Sequence, residues 1–207
     1  MPDHAHMTAF LAAALVLAVT PGPGIFYVLA RSLGEGTRVG VRSSLGTGLG
    51  GLCHVAGAAL GLSTLLMTSA TAFEVVRYAG ACYLVFLGVR TLLGLREPAS
   101  ETPRAGGGGA FRQGVMTELL NPKTALFFLT FLPQFAQPER GPVALQLLAL
   151  GTLSVALNSS ADLVVAALGG RARAGLRAGS RWVRRQRALS GVALIALGGY
   201  AAAADRR

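Results

Sequence analysis

The chain has 207 residues, 52% of them hydrophobic and 14% charged, with a formal net charge of +10 and a mean hydropathy of +0.53. That balance excludes an ordinary soluble domain of this size and puts an integral membrane protein first. The basic excess is almost all arginine, 18 residues against a single lysine, Lys123.

A helix needs about 20 mostly apolar residues to cross a bilayer, and six such windows follow one another along the chain. Met7–Ala30 has no charged residue. No Lys or Arg precedes it and it exceeds a signal core, so it reads as a retained helix rather than a secretory signal. Ser43–Phe73 is uncharged apart from His54, Val75–Leu95 carries Arg77 and Arg90 near its ends, and Gln113–Phe135 carries Glu118 and Lys123. Gly141–Gly170 contains only Asp162, and Ala188–Ala204 is a shorter uncharged run.

Between the third and fourth windows, residues 96–111 read REPASETPRAGGGGAF, the composition of a flexible linker. It divides the chain into residues 1–95 and 112–207, with three helices in each. An odd number of spans per half makes the second half enter the membrane from the opposite side. The expected fold is therefore an all-α integral membrane protein of six transmembrane helices, built as two inverted three-helix repeats with the first helix of each interrupted at proline. Fourteen arginines follow the first, third and fifth windows, against four on the other side. This bias places the linker in the cytoplasm and both termini outside it, in a bacterial-type inner membrane.

The seven-arginine segment from Arg171 to Arg187 contains one aromatic residue, Trp182, and no groove-reading motif. It reads as a topogenic loop touching anionic lipid headgroups, not as a nucleic-acid site. Cys53 and Cys82 read as small packing residues without a bridge between them. Gly46, Gly50, Gly57 and Gly61 fall at four-residue spacings that allow helices to approach closely, and permit a homodimer.

The interruptions are VTPGPGIF at Val19–Phe26 and LLNPKTALFF at Leu119–Phe128. Prolines lack a backbone donor and glycines tolerate unusual dihedrals, so each helix must kink or stop there. Thr20 before Pro21 and Asn121 before Pro122 read as N-caps followed by proline at the first helical position. Each break then starts a half-helix whose free amides face the membrane interior. Lys123 lies half-way along its window, too deep to snorkel, and an ammonium there is a functional candidate by default. Thr20, Pro21, Gly22, Pro23, Gly24, Asn121, Pro122 and Lys123 together form a candidate pocket for a small carboxylate.

Four further polar residues are candidates for proton relay or coupling. Glu118 can pair with Lys123, carry a proton, attract an amino group, or simply lie solvated at the cytoplasmic mouth. Asp162, one helical turn after Asn158 on the same face, suits a proton relay or a structural pair with Lys123 or Arg77. His54 can titrate or bridge helices through a hydrogen bond. There is no phosphate loop, no nucleophile–base pattern and no paired metal-ligand spacing. His4 and His6 are a weak metal signal at a terminus. The chain is not read as an enzyme, and no cofactor or metal is expected.

Four stretches resemble the LysE-type (RhtB-like) amino-acid exporters: TPGPG at Thr20–Gly24, GTGLGGLCH at Gly46–His54, RYAGACYLVFLGVR at Arg77–Arg90, and LLNPKTALFFLTFLPQF at Leu119–Phe135. The last is the most specific. The resemblance implies a small inner-membrane exporter of homoserine, threonine, lysine, leucine or similar metabolites, driven by ion or proton exchange and often dimeric. Pro21, Gly22, Pro23, Asn121, Pro122 and Lys123 match signature positions of that family, and His54 a frequent one. Glu118, Arg77 and Asn158 depart from its pattern; Asn158 falls near where many relatives have an acid, so the proton carrier is either Asp162, one turn on, or Glu118. Two other readings stand beside it. A divalent-cation exporter is disfavoured by the lack of ligand clusters, and a non-transporting membrane scaffold does not account for a lysine beside a helix break.

Overall fold

The computed structural model describes residues 4–62, 69–93 and 109–172, with isolated helical positions at 188, 192, 195, 196, 199 and 202. Among the described residues every regular element is helical. Helix α1 (His4–Val19) and α2 (Pro23–Glu35) meet at a bend of 44°. Gly36, at φ 98°, donates its N–H to Ser32 O and lets α3 (Thr37–Gly57) begin at once, a left-handed position where any other residue would be strained. Helix α3 runs into a π turn at Ala58–Leu62, and α4 spans Ala70–Leu93. Helix α5 (Ala110–Leu119) is broken from α6 (Pro122–Leu126), which continues through a π turn at Phe127–Phe131 and a 3-10 turn at Leu132–Phe135. After a further 3-10 turn at Pro138–Arg140, α7 (Val143–Ala172) completes the described chain.

By length and composition α7 can cross a membrane alone, and α1 with α2 qualify together as one bent pair. The burial pattern points the same way. Leu145, Leu148, Leu153, Leu163, Val164 and Leu168 of α7 face outward, whereas Gln146, Ser154 and Asp162 of the same helix are buried. Polar side chains inside and large apolar ones outside suit a helix that faces lipid. Inside, an aromatic column from Phe127 through Phe131 to Phe135 stacks at centroid spacings of 5.2 and 5.1 Å and ends edge-on against Phe10 of α1 at 5.5 Å.

Helix α3 forms the centre because glycine lets its neighbours touch its backbone. A Cβ on Gly46 would collide with Phe111 O, and one on Gly114 of α5 would lie 2.5 Å from Ser43 O. On the other face Gly51 receives Val155 of α7, and Gly151 of α7 receives Val55. Gly50 packs on Glu118 and Val115, whereas among the described residues no atom lies within 4 Å of a Cβ on Gly57 or Gly61, so of the four predicted glycines Gly46 and Gly50 serve close packing there.

Several boundaries differ from the sequence windows. Helices α2 and α3 include Arg31, Arg38 and Arg42, which the charge reading assigns to a loop, because arginine is a good helix former and a helix does not stop where the membrane does. The second window, Ser43–Phe73, is interrupted before Ala70, where α4 starts. The linker's last two residues, Ala110 and Phe111, belong to α5. Cys53 and Cys82 are exposed on their helices rather than packed inside. The rest of the linker, the seven-arginine segment beyond Ala172 with Trp182, and the sixth window apart from isolated helical positions lie outside the described residues.

The α3–α5 contact makes a direct prediction. Gly114→Ala should cost about 1–3 kcal/mol through overpacking of backbone on backbone, whereas Gly57→Ala should be neutral or stabilising by less than about 1 kcal/mol. Thermal denaturation of the purified proteins in one detergent checks both.

Candidate functional site

The two breaks meet. In an α-helix the carbonyl of residue i accepts from the N–H of residue i+4, so Pro21 leaves Leu17 O without its helical donor and Pro122 does the same to Glu118 O. Each carbonyl keeps a backbone donor three residues on, Thr20 N to Leu17 O at 3.3 Å and Asn121 N to Glu118 O at 3.1 Å, and takes a further partner from elsewhere in the fold. Lys123 Nζ, on the second break, donates to Leu17 O at 3.3 Å and to Thr20 O at 2.9 Å on the first. His54 Nε2, from α3, lies 3.0 Å from Glu118 O; a carbonyl only accepts, so Nε2 carries the hydrogen. The His54 ring stacks on Phe128 at a centroid distance of 6.2 Å, which fixes its plane. Of the two sequence readings of His54, the helix-bridging bond is the one observed.

Asn121 caps α6 as the sequence predicts, its Oδ1 accepting from Lys123 N at 3.1 Å, with Pro122 at the first helical position. Thr20 does not cap α2. Its hydroxyl donates back to Val16 O at 2.5 Å, and the N-cap is Gly22 with Pro23 following. A threonine at the end of a helix reaches the carbonyl four residues back more readily than amides beyond a proline pair. The lysine ammonium sits among the carbonyls that end α1 and against Gly22, the N-cap of α2. Gly22 makes room for it, since a Cβ there would lie 3.1–3.3 Å from the Lys123 stem.

Glu118 is not a solvated residue at a mouth. It is 3% exposed, and both carboxylate oxygens are held: Oε2 accepts from Asn121 Nδ2 at 3.1 Å and Oε1 from Thr124 Oγ1 at 2.6 Å. Its burial follows from α5 packing on the glycine face of α3. A Cβ on Gly24 would stand 2.6 Å from Oε2, so the first break also shapes the carboxylate's seat.

Asp162 is fully buried in α7. Instead of pairing with Lys123, its Oδ2 accepts from Thr47 Oγ1 of α3 at 2.8 Å; the Arg77 side chain lies outside the described residues. Asp162 Oδ1 has no hydrogen-bond partner among the described residues. Asn158 lies one turn away on the wall of a small cavity shared with Thr47, Glu118, Thr124, Phe128 and Ser154. The cavity measures about 10 Å³ for the centre of a water molecule, near the least that holds one water. A molecule as large as an amino acid enters only if the helices part.

Sequence reasoning missed Thr47, Thr124, Ser154 and the carbonyls of Leu17 and Thr20. The three hydroxyls lie in apolar stretches, where any polar side chain is a candidate, but nothing in their spacing tells which faces inward. His4 lies in α1, and His6 Nδ1 is 3.3 Å from Gln137 Nε2. Among the described residues no three His, Cys, Asp or Glu side chains are grouped to hold a metal ion.

An α-helical membrane protein with charged and hydroxyl side chains gathered at two meeting helix breaks has the make-up of a transporter. Residues 15–204 match the family model described as LysE type translocator, and the chain belongs to that family, whose members are transporters and not enzymes. The chain is 32% identical over 157 residues to a homoserine/homoserine lactone efflux protein of Salmonella typhimurium, covering 72% of this chain and 73% of that protein. It is 34% identical over 130 residues, 61% of each chain, to a leucine efflux protein of Salmonella choleraesuis. An uncharacterized membrane protein of Vibrio cholerae is 31% identical over 156 residues, 73% of this chain and 74% of that one. No solved structure matches.

Gly24→Ala tests the seat of Glu118. The new methyl meets a movable carboxylate rather than backbone, so the folded protein should survive with little change in thermal stability. Transport should fall about tenfold or more, because displacements near 1 Å in a binding site carry penalties of that order; flux assays beside melting curves check it.

Proposed function

We propose that this translocator is a secondary active exporter of amino acids or close analogues across the bacterial inner membrane. Proton exchange drives it, and its site opens to the two sides in turn. The observation that carries this reading is the meeting of the two breaks, which brings an ammonium, Lys123, and a carboxylate, Glu118, to one buried place as an amino acid's complementary charges require. Lys123 uses two of its three donors on Leu17 O and Thr20 O, and with no third acceptor among the described residues the remaining one serves a substrate carboxylate. Glu118 attracts the substrate's amino group. Asp162 exchanges the coupling proton from the far side of the cavity, with Asn158 on the path between.

The names of the two Salmonella relatives support small amino acids as cargo. Matching prolines at the first positions of α2 and α6 support the division into two inverted three-helix repeats, residues 1–95 and 112–207, joined by a cytoplasmic linker over 96–111. The arginine distribution supports six spans with both termini outside the cytoplasm. Outward-facing leucines give the chain its lipid contact and leave surface for a homodimer.

The test is efflux of labelled leucine and homoserine from preloaded proteoliposomes under an imposed proton gradient, for the natural protein and Lys123→Gln. The natural protein should export at least one of them, and the variant should lose about tenfold or more, with insertion checked by protease protection. Equal export by the variant would remove Lys123 from the site. Export indifferent to collapse of the gradient would remove the proton.

A further inference from the structure

Thr47 stands between the cavity and Asp162. It is 1% exposed, its hydroxyl oxygen lies 2.8 Å from Asp162 Oδ2 and 2.9 Å from Ser44 O, and the same residue lines the cavity opposite Glu118 and Thr124. A hydroxyl has one hydrogen and two lone pairs, so Thr47 donates to one of these two oxygens at a time. We infer that Thr47 is a positioning residue that keeps Asp162 hydrogen-bonded both with and without its proton, and thereby ties transport to the proton gradient. This rests on the reading of Asp162 as the coupling acid.

With Asp162 ionised, the Thr47 hydroxyl donates to Oδ2. Protonation forms an O–H bond at Oδ2, the proton coming from water admitted to the cavity as the site opens. The new acid then donates to Thr47 Oγ1, whose own hydrogen turns to Ser44 O. Two hydrogen bonds replace one, no covalent bond in the protein breaks, and release to water runs the sequence backward. Glu118 lacks such a device: both of its oxygens already have fixed donors, whereas Asp162 Oδ1 has no partner among the described residues. The charges whose fields reach Asp162 are Glu118 on α5 and Lys123 on α6. On α2, Arg31 is buried and bonds Glu35 at 2.6 Å.

The experiment reads two fluxes of labelled leucine and homoserine in proteoliposomes of the full chain: proton-driven efflux, and one-for-one exchange without a gradient. Their ratio should fall about tenfold or more in Asp162→Asn and in Thr47→Val, and stay within about twofold of the natural protein in Thr47→Ser, since a lost bond to a buried acid is worth roughly that factor. If Asp162→Asn keeps the natural ratio, the coupling reading and this inference fall together. If Asp162→Asn loses it but Thr47→Val keeps it, this inference alone falls. A serine variant that behaves like valine also overturns it, because the methyl group and not the hydroxyl would then matter. Should Thr47→Val fail to insert, Thr47→Ala replaces it against the same serine control.

Discussion

A proline inside a membrane helix removes the donor that the carbonyl one turn back would use, and the centre of this protein is organised around two such carbonyls, each left with a backbone donor three residues on and a lone pair to spare. Pro21 frees Leu17 O and Pro122 frees Glu118 O. Each is answered from elsewhere in the fold, the first by Lys123 Nζ and the second by His54 Nε2. In water these carbonyls would simply be hydrated. In a lipid-embedded core the added bonds tie α1 to α6 and α3 to α5.

The glycine content of α3 is the second condition. An ammonium, two carboxylates and several hydroxyls occupy a narrow region, and each must find partners within reach. Only a helix stripped of side chains along one edge lets α5 come close enough for Glu118 to be enclosed beside Gly50 and Gly24. The closeness also explains why the cavity is small. In this arrangement polar groups are satisfied mainly by each other.

Much of this organisation is legible in the sequence. The breaks are announced by Pro and Gly, the Asn121 cap by its place before Pro122, and the importance of Lys123 by its isolation in an apolar run. Partners across the fold are not legible, since no local pattern says that Lys123 lands on carbonyls over a hundred residues earlier. Glu118 sits at the edge of an apolar window and so reads as a residue near water; its burial depends on where glycines of another helix fall. Hydropathy also stops at the first arginine, whereas α2 and α3 run on through Arg31, Arg38 and Arg42 into one another at Gly36. Thr47 is a small hydroxyl among glycines, and only the three-dimensional neighbourhood distinguishes it from Thr152 on α7, which faces outward.

The crossing of Gly46 and Gly114 places backbone directly on backbone. Interlocked side chains resist both approach and rotation, because turning one helix would drive its knobs out of the other's holes. Bare backbones resist approach alone. Helices α3 and α5 therefore share a fulcrum, and the cavity walls at Gly51 and Glu118 lie about 6–8 Å along each helix from it at 1.5 Å per residue. A swing of a few degrees at such a short arm moves these walls by less than an ångström, and the Gly57 end of α3, about 16 Å from the fulcrum at 1.5 Å per residue, by about twice as much. Glu118, one residue from the end of α5, thus moves as far as that end does, so a small tilt of α5 is felt in full at the carboxylate.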